Sequence, residues 1–288
     1  MTQAVGWLPM RRWACAILVG SLAACAESPR PREAQPAVEA LPSVRVPSDR
    51  GGVEVWSWVV EDPEGTLGEV LAAYTSLALP LSDDATPGVW SANGLRLVAV
   101  PTSEVEGLRG KVRVAGPVQR QWVGEASAWT SIARGPDVRR PREVTLDTGS
   151  VRLDPGPLGL SARCWTVANV RPGRVEPRVR LELVPTHGEP GRGSPWPDQG
   201  GSGVFDRLRA TLELDGRTAV LVVPEKPGKE WGKAPGGEAE VLGPRWAPLP
   251  TLGEEMMCAL RPDGGDPEAR VVLVIVATTP REYRLIGE

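Results

Sequence analysis

The stretch Val53-Glu-Val-Trp-Ser-Trp-Val-Val60 decides the fold of this chain. Its β-branched and aromatic residues alternate with polar ones, which is the pattern of a half-buried strand. The alternation ends at Asp62-Pro-Glu-Gly65, a combination of residues that turns favour. The sequence therefore predicts that the folded part begins with this strand.

A helix is predicted directly after the turn. Thr66 can cap its N-terminus, with Glu69 as the capping-box partner three residues later. Apolar residues then recur at helical spacing from Leu67 to Leu77, and Pro80 stops the pattern. One face of this helix is expected to pack against the first strand.

The next segment predicts a hairpin, a second helix and a further strand. Asn93-Gly94 stands in the middle of the apolar stretch 89–100, and this pair favours a two-residue hairpin turn because both turn residues need positive φ. Residues 101–110 predict a short helix, and residues 118–123 predict a strand. The resulting β-α-β-β-α-β order makes 51–134 a small α+β domain.

The pattern changes to strands alone over 142–288, so we expect a mainly antiparallel β domain there. Two long inserts rich in Gly and Pro interrupt it, at residues 186–203 and 224–261. Loops of that length are usually functional or disordered. The predicted strands are 143–147, 150–154, 158–167, 176–184, 205–214, 218–223 and 270–279.

An N-terminal processing segment precedes the fold. Arg11 and Arg12 are followed by twelve mostly small or apolar residues, 13–24. That length is typical of a signal peptide and too short for a membrane-spanning helix. Residues 25–50, rich in Pro, Arg, Glu, Ala and Ser, have the composition of a disordered linker.

The leader ends in Leu22-Ala23-Ala24-Cys25, which resembles the lipobox of bacterial lipoproteins. The resemblance implies that residues 1–24 are removed and that Cys25 is acylated, so the protein is anchored in a membrane and faces the periplasm. Ala26 after the Cys favours the outer membrane over the inner one. An ordinary secretory signal cleaved near Ala24 is the alternative.

Composition excludes some classes of partner. The leader contains two Arg and no acidic residue, so its removal takes the net charge from −3 to −5. A chain of this charge has no basic field for nucleic acid. The 33 Gly and 30 Pro residues favour many turns and short strands over long helices. No cofactor is expected.

Two cysteines, Cys164 and Cys258, lie within the expected folded region. In an oxidising periplasm they could form a disulfide. The alternative is that each is a small buried apolar residue, Cys164 inside a strand and Cys258 beside Met257. Neither has a His, Cys or acidic partner at the spacing of zinc ligands, so no metal site is predicted.

The C-terminal half resembles the secretin family, the ring-forming channels of bacterial outer membranes. The similar features are a β hairpin at 205–223 around Asp215-Gly216, the linker Pro248-Leu-Pro-Thr-Leu-Gly253, and an apolar strand ending in Thr279-Pro-Arg281. The resemblance implies that 51–134 corresponds to a ring-building domain. Glu254-Glu-Met-Met257 departs from the family pattern, so the implied relative is shortened and forms no channel.

Asp147-Thr148-Gly149-Ser150 matches the signature of aspartic proteases. That chemistry needs two carboxyl groups that share a proton, and no second Asp-Thr-Gly occurs, so a protease would have to be a dimer. A tight hairpin turn between Val-Thr-Leu and Val-Arg-Leu explains the same residues. The lone histidine, His187, is predicted to be a solvated loop residue without catalytic partners.

Tryptophans in the long loops are candidates for contact with a ligand or a partner. Trp196, Trp231 and Trp246 could stack on sugars or on another protein. Three hypotheses therefore follow from the sequence. The protein is a lipid-anchored envelope protein that works by association with envelope proteins or with itself, or a ligand-binding lipoprotein, or a dimeric aspartic protease.

Overall fold

The first strand forms where the alternation predicts it, and both of its faces are buried. On β1 (Gly52–Glu61), Val53 and Val55 contribute to one hydrophobic cluster, whereas Trp56 and Trp58 contribute to a second. The strand therefore lies in a middle layer. The computed structural model describes residues 50–62, 66–171, 174–188, 203–225, 249–257 and 269–280.

The remaining elements are short helices and strands of varied length. The helices are α1 (Thr66–Ala72), α2 (Thr86–Ala92), α3 (Val105–Lys111) and α4 (Leu252–Met257). The strands are β2 (Leu95–Pro101), β3 (Val114–Gly124), β4 (Ala126–Val138), β5 (Arg142–Leu146), β6 (Gly149–Leu153), β7 (Gly156–Arg171), β8 (Arg174–His187), β9 (Gly203–Val204), β10 (Ala210–Leu214), β11 (Thr218–Pro224) and β12 (Ala269–Thr278).

These strands form two main antiparallel sheets and one small hairpin. The five-stranded sheet has the order β2-β11-β12-β1-β3, and the four-stranded sheet has the order β10-β8-β7-β4, with β9 paired to β8. β5 and β6 pair only with each other among the described strands. The predicted α+β class is confirmed as antiparallel sheets with a few helices.

The packing produces three layers. One hydrophobic cluster joins the five-stranded sheet to α1 and α3 through residues such as Leu71 and Leu108. The other cluster joins its opposite face to the four-stranded sheet through residues such as Leu160 and Leu181. Apolar side chains therefore line both faces of β11 and β12, as is usual for strands in a covered sheet. In the described part of the chain, no helix is long and apolar enough to cross a membrane.

The predicted hairpin over residues 89–100 is wrong in its first half. Residues 86–92 form α2, and only Leu95–Pro101 is a strand. The order of helices and strands over 51–134 is therefore β-α-α-β-α-β-β, with β4 continuing to Val138. Asn93 has φ −99° and Gly94 has φ +80°, so the pair ends a helix with a left-handed glycine. A two-residue hairpin turn of the expected type would need positive φ at both residues.

The first helix begins at Thr66 as predicted, but its cap and its end differ. Asp62 Oδ1 accepts the N–H of Leu67 at 3.0 Å, so Asp62 caps the helix in place of Thr66. α1 ends at Ala72, several residues before the predicted Leu77.

The β-rich half follows the predicted strands closely, except that 205–214 divides into a short 3-10 helix (Asp206–Leu208) and β10. The predicted boundary between 51–134 and 142–288 does not separate two sheets. β1, β2 and β3 come from the first range and β11 and β12 from the second, yet all five share one sheet. The described residues between 50 and 280 accordingly belong to one compact unit.

Candidate functional site

Three of the four edges of the two large sheets are protected against further pairing. The edge at β10 is covered by the segment between α1 and α2. Ser82 N–H donates to the carbonyl of Thr211 at 2.9 Å, and Glu213 N–H donates to that of Pro80 at 2.8 Å. Another strand cannot pair at this edge without displacing that segment.

The edges at β4 and β3 carry irregularities. The register of β4 on β7 shifts in three places, and α4 packs so closely that a Cβ on Gly135 would lie 2.4 Å from the carbonyl oxygen of Met256. β3 contains Gly116 at φ +74°, followed by Pro117, which has no N–H to donate. Irregular register, proline and covering helices are established ways in which proteins protect sheet edges.

Among the described residues, no segment pairs along the outer edge of β2, although α2 packs beside this strand and Pro101 at its end has no N–H. β2 pairs with β11 in a regular register over seven residues, and no other described strand pairs with it. The carbonyl of Gly94 accepts from Glu225 N–H at 2.9 Å, and Thr102 N–H donates to the carbonyl of Arg217 at 2.8 Å. Along antiparallel strands, every second residue forms hydrogen bonds with the partner strand, and the residues between them direct their N–H and C=O groups the other way. Counted from Gly94 and Thr102, Leu97 and Ala99 therefore direct these groups away from β11, to the outer edge of β2.

A groove runs along this open edge. One wall is formed by the segment after α1, and the other by α2. The cavity has a volume of about 360 Å³, which lies within the range of small binding sites. We call it the β2 groove, and its described lining residues are Tyr74, Thr75, Leu77, Leu79, Pro87, Gly88, Ser91, Arg96, Leu97, Val98 and Ala99.

The lining of the β2 groove is mixed, with apolar residues such as Leu77 and Leu79 beside polar ones such as Thr75 and Ser91. Among the described residues, Leu77 is one of four large hydrophobic residues with an exposed side chain, at 42% of its full exposure. The charged lining residue Arg96 is engaged by Glu225, with Nε 2.9 Å from Oε2. The groove therefore offers hydrophobic contact and backbone hydrogen bonds more than a free charge.

Helix α2 is fixed beside β2 by buried polar contacts. Trp90 is fully buried, and its Nε1 donates to the carbonyl of Leu208 at 2.9 Å. Asn93, also fully buried, accepts the N–H of Asp147 on Oδ1 at 3.1 Å and the N–H of Gly253 on its carbonyl at 2.9 Å. The helix thus contacts the β5–β6 hairpin and α4, so this wall of the groove is part of the rigid fold.

The opposite wall contains a buried tyrosine. Tyr74 Oη donates to Glu104 Oε2 at 2.9 Å. Burial raises the pKa of the Tyr74 phenol above its ordinary value of 10.0, and the hydrogen bond and negative charge of Glu104 raise the pKa further.

Tyr74→Phe is expected to reduce the loss of stability at alkaline pH. Because the pKa of Tyr74 is higher in the folded state than in the unfolded state, its contribution to the free energy of unfolding is complete below the unfolded-state pKa of about 10. That contribution is lost as the pH rises through the folded-state pKa. At pH 7 the variant should be less stable by about 1 kcal/mol, because the bond to Glu104 is missing. Urea unfolding at pH 7, 9, 10 and 11 measures this, and parallel curves for both proteins would contradict it.

The Asp147 motif forms a hairpin turn. β5 and β6 pair up to Leu146 and Gly149, and the turn lies between them, as the alternative interpretation predicts. Asp147 Oδ2 is 3.0 Å from Arg207 Nη2, so the charge partner seen at this carboxylate is a cation. Protease chemistry would need a second carboxyl group at that place.

The cysteine and histidine predictions have different outcomes. Cys164 is buried, and its Sγ donates to the carbonyl of Gly124 at 2.9 Å. Its expected disulfide partner, Cys258, lies outside the described residues, so the pairing stays a prediction. Burial is the main factor that raises the pKa of its thiol. The prediction for His187 is wrong, since it ends β8, is buried, and donates from Nε2 to the carbonyl of Asp154 at 2.8 Å.

Several predicted site residues lie outside the described residues. These are Cys25, Cys258, Trp196, Trp231 and Trp246. Of the tryptophans that are described, Trp129 contacts two arginines, with its ring centroid 4.9 Å from Cζ of Arg163 and 5.6 Å from Cζ of Arg209. Within the part of the chain that the structure describes, no group of three or more His, Cys, Asp or Glu could hold a metal ion.

Sequence reasoning missed the open edge of β2 because it gave this strand a partner. The apolar run 95–100 was recognisable as a strand, but the residues predicted to pair with it form α2. A search with protein-family models, a search of curated proteins and a search of solved structures each found no match.

Proposed function

We propose that the protein is a lipid-anchored cell-envelope protein that works by binding another protein at the β2 groove. The observation that supports this proposal is the open edge of β2. Natural proteins protect strand edges that are not used for pairing, and the other three edges of the two large sheets are protected here. An edge that no described segment pairs with, beside a groove with several apolar lining residues, suits a binding surface.

The proposed location rests on Leu22-Ala23-Ala24-Cys25 and on the composition of residues 25–50. Acylation of Cys25 would hold the protein at a membrane, and a linker of this composition would let the folded part reach a partner. The partner in this proposal belongs to an envelope assembly, in keeping with the similarity of the C-terminal half to secretins.

Cys25→Ser is expected to abolish membrane attachment. A hydroxyl group cannot replace the thiol that is acylated, so the variant should move from the membrane fraction to the soluble periplasmic fraction. Fractionation with an antibody against the folded part measures the distribution, and mass spectrometry measures the lipid. If mass spectrometry finds no lipid on Cys25 of the wild-type protein, the proposed anchor is wrong.

Gly88→Glu is expected to prevent association at the β2 groove without loss of stability. Gly88 lines the groove on α2, and a Cβ added there meets no atom within 4 Å. A glutamate would place a charge and a longer side chain in the groove, while replacement of a helical glycine should raise stability by about 0.5 kcal/mol. Cross-linking in intact envelopes measures association through the loss of the cross-linked species.

Gly107→Glu is the matched control for this substitution. Gly107 lies in α3, a helix of the same length, and a Cβ there also meets no atom within 4 Å. It does not line the groove, so this variant should keep the cross-linked species of the wild type. Equal cross-linking of the two variants would show that association does not use the β2 groove.

A further inference from the structure

We propose that the partner enters the β2 groove as an extended peptide segment and adds a sixth strand to the five-stranded sheet. This inference rests on the proposed function and specifies the chemistry of the partner. Strand addition at an open sheet edge is a general mode of peptide recognition, in which main-chain hydrogen bonds provide affinity and alternate side chains provide specificity.

The backbone of β2 supplies the hydrogen bonds. Gly94 and Thr102 pair with β11, and the alternation between them leaves the N–H and C=O groups of Leu97 and Ala99 directed to the groove. An extended segment beside β2 can therefore make up to four main-chain hydrogen bonds at these two residues. Pro101 lacks an N–H, so this ladder ends at Ala99 on that side.

The two walls of the groove set the side-chain preference. Tyr74 belongs to the hydrophobic cluster on the helix side of the sheet, whereas Trp90 of α2 belongs to the cluster between the sheets. The walls therefore stand on opposite faces of the sheet. Since successive side chains of a strand point to opposite faces, every second side chain of the segment would meet Tyr74 and Leu77, and the others would meet Gly88 and Ser91.

These contacts define the segment that fits. The apolar wall at Tyr74 and Leu77 favours aliphatic side chains at every second position. The wall at Gly88 and Ser91 leaves room for larger side chains, because no atom lies within 4 Å of a Cβ at Gly88. With Arg96 already engaged by Glu225, an uncharged central segment fits best.

A single peptide segment fits the walls better than a second folded copy of this chain. Paired strands lie about 4.8 Å apart. Two copies joined edge to edge through β2 would therefore have to bring the segment after α1 and helix α2 of one copy close to the same elements of the other copy. The segment after α1 and helix α2 flank the edge on either side. An isolated extended segment can enter between them.

The experiment is a selection from a display library of random twelve-residue peptides against the full-length protein in detergent. Selected peptides should show apolar residues at every second position, bind the wild type and the Gly107→Glu variant equally, and bind the Gly88→Glu variant at least tenfold more weakly. Circular dichroism of each variant confirms that it is folded.

Two N-methylated versions of one selected peptide test the backbone contacts. Methylation of alternate residues removes the N–H donors on one edge of the peptide and leaves its side chains unchanged. Methylation of the edge that faces β2 should lower affinity about tenfold, as expected from the loss of two hydrogen bonds. Methylation of the other edge should leave affinity within threefold.

Strand addition is overturned if no peptide is selected or if both methylated versions bind like the parent. If cross-linking in envelopes still depends on Gly88 in that case, the proposed function stands and the partner binds in another form, such as a second copy of the chain. If the peptides behave as expected but cross-linking is insensitive to Gly88→Glu, the proposed function fails while the peptide site remains.

Discussion

Gly253→Ala is expected to lower the free energy of unfolding by about 3 kcal/mol, the upper part of the range for overpacked sites. A Cβ at Gly253 would lie 2.1 Å from the carbonyl oxygen and 2.4 Å from the carbonyl carbon of Gly94. Both are backbone atoms, so no side chain can rotate to relieve the overlap. The N–H of Gly253 also donates to the carbonyl of Asn93 at 2.9 Å, and a shift of α4 would weaken that bond.

Urea unfolding followed by tryptophan fluorescence measures this effect, since the chain has 11 Trp. Gly110→Ala in α3 is the control, because a Cβ there meets no atom within 4 Å. That change should leave stability equal or raise it by about 0.5 kcal/mol. If both alanine variants unfold at the same urea concentration, the close contact between Gly94 and Gly253 does not exist in solution.

Trp90→Ala is expected to destabilise the protein by about 4 kcal/mol, since removal of a buried tryptophan leaves a large cavity. Trp90 is fully buried between α2 and the four-stranded sheet, where its indole N–H donates to the carbonyl of Leu208. Because stabilities of single domains are about 5–15 kcal/mol, this one change would remove a large part of the total. It should also loosen the α2 wall of the β2 groove.

Two further variants separate packing from the hydrogen bond. Trp90→Phe keeps most of the buried ring and should cost about 1–3 kcal/mol, because the Leu208 carbonyl loses its donor. Trp129→Ala removes a half-buried tryptophan and should cost less than Trp90→Ala. Thermal and urea unfolding of the three variants give the order, and an equal loss for Trp90→Ala and Trp129→Ala would contradict the burial of Trp90.

The sequence predicted strands well where the apolar pattern was long and regular. β1, β7, β8, β11 and β12 were all recognised from their apolar and β-branched residues. Predictions that depended on a single turn signal were less secure. The pair Asn93-Gly94 is compatible with a hairpin turn and also with the end of a helix. Which of the two forms depends on tertiary contacts of Asn93 and Trp90, which no local sequence pattern contains.

The β2 groove could not have been predicted, because it depends on the order of strands in space. The edge at β2 becomes a candidate site only when the edges at β10, β4 and β3 are known to be protected. The segment that covers the edge at β10 lies about 130 residues before that strand in the chain, so no local pattern predicts the contact. His187 illustrates the same limit. Its neighbours in sequence favour a loop, whereas pairing with β7 buries it at the end of β8.

The position of β12 has a consequence for folding. Gly52 lies opposite Thr278, so the first described strand pairs along its whole length with the last one, and β12 separates β1 from β11. Contacts between residues this far apart in sequence slow folding, because a long loop must close before they form. The five-stranded sheet can assemble only after residues 269–278 have joined the rest of the chain. During synthesis from the N-terminus, the main sheet can therefore be completed only after residues 269–278 have been added to the chain.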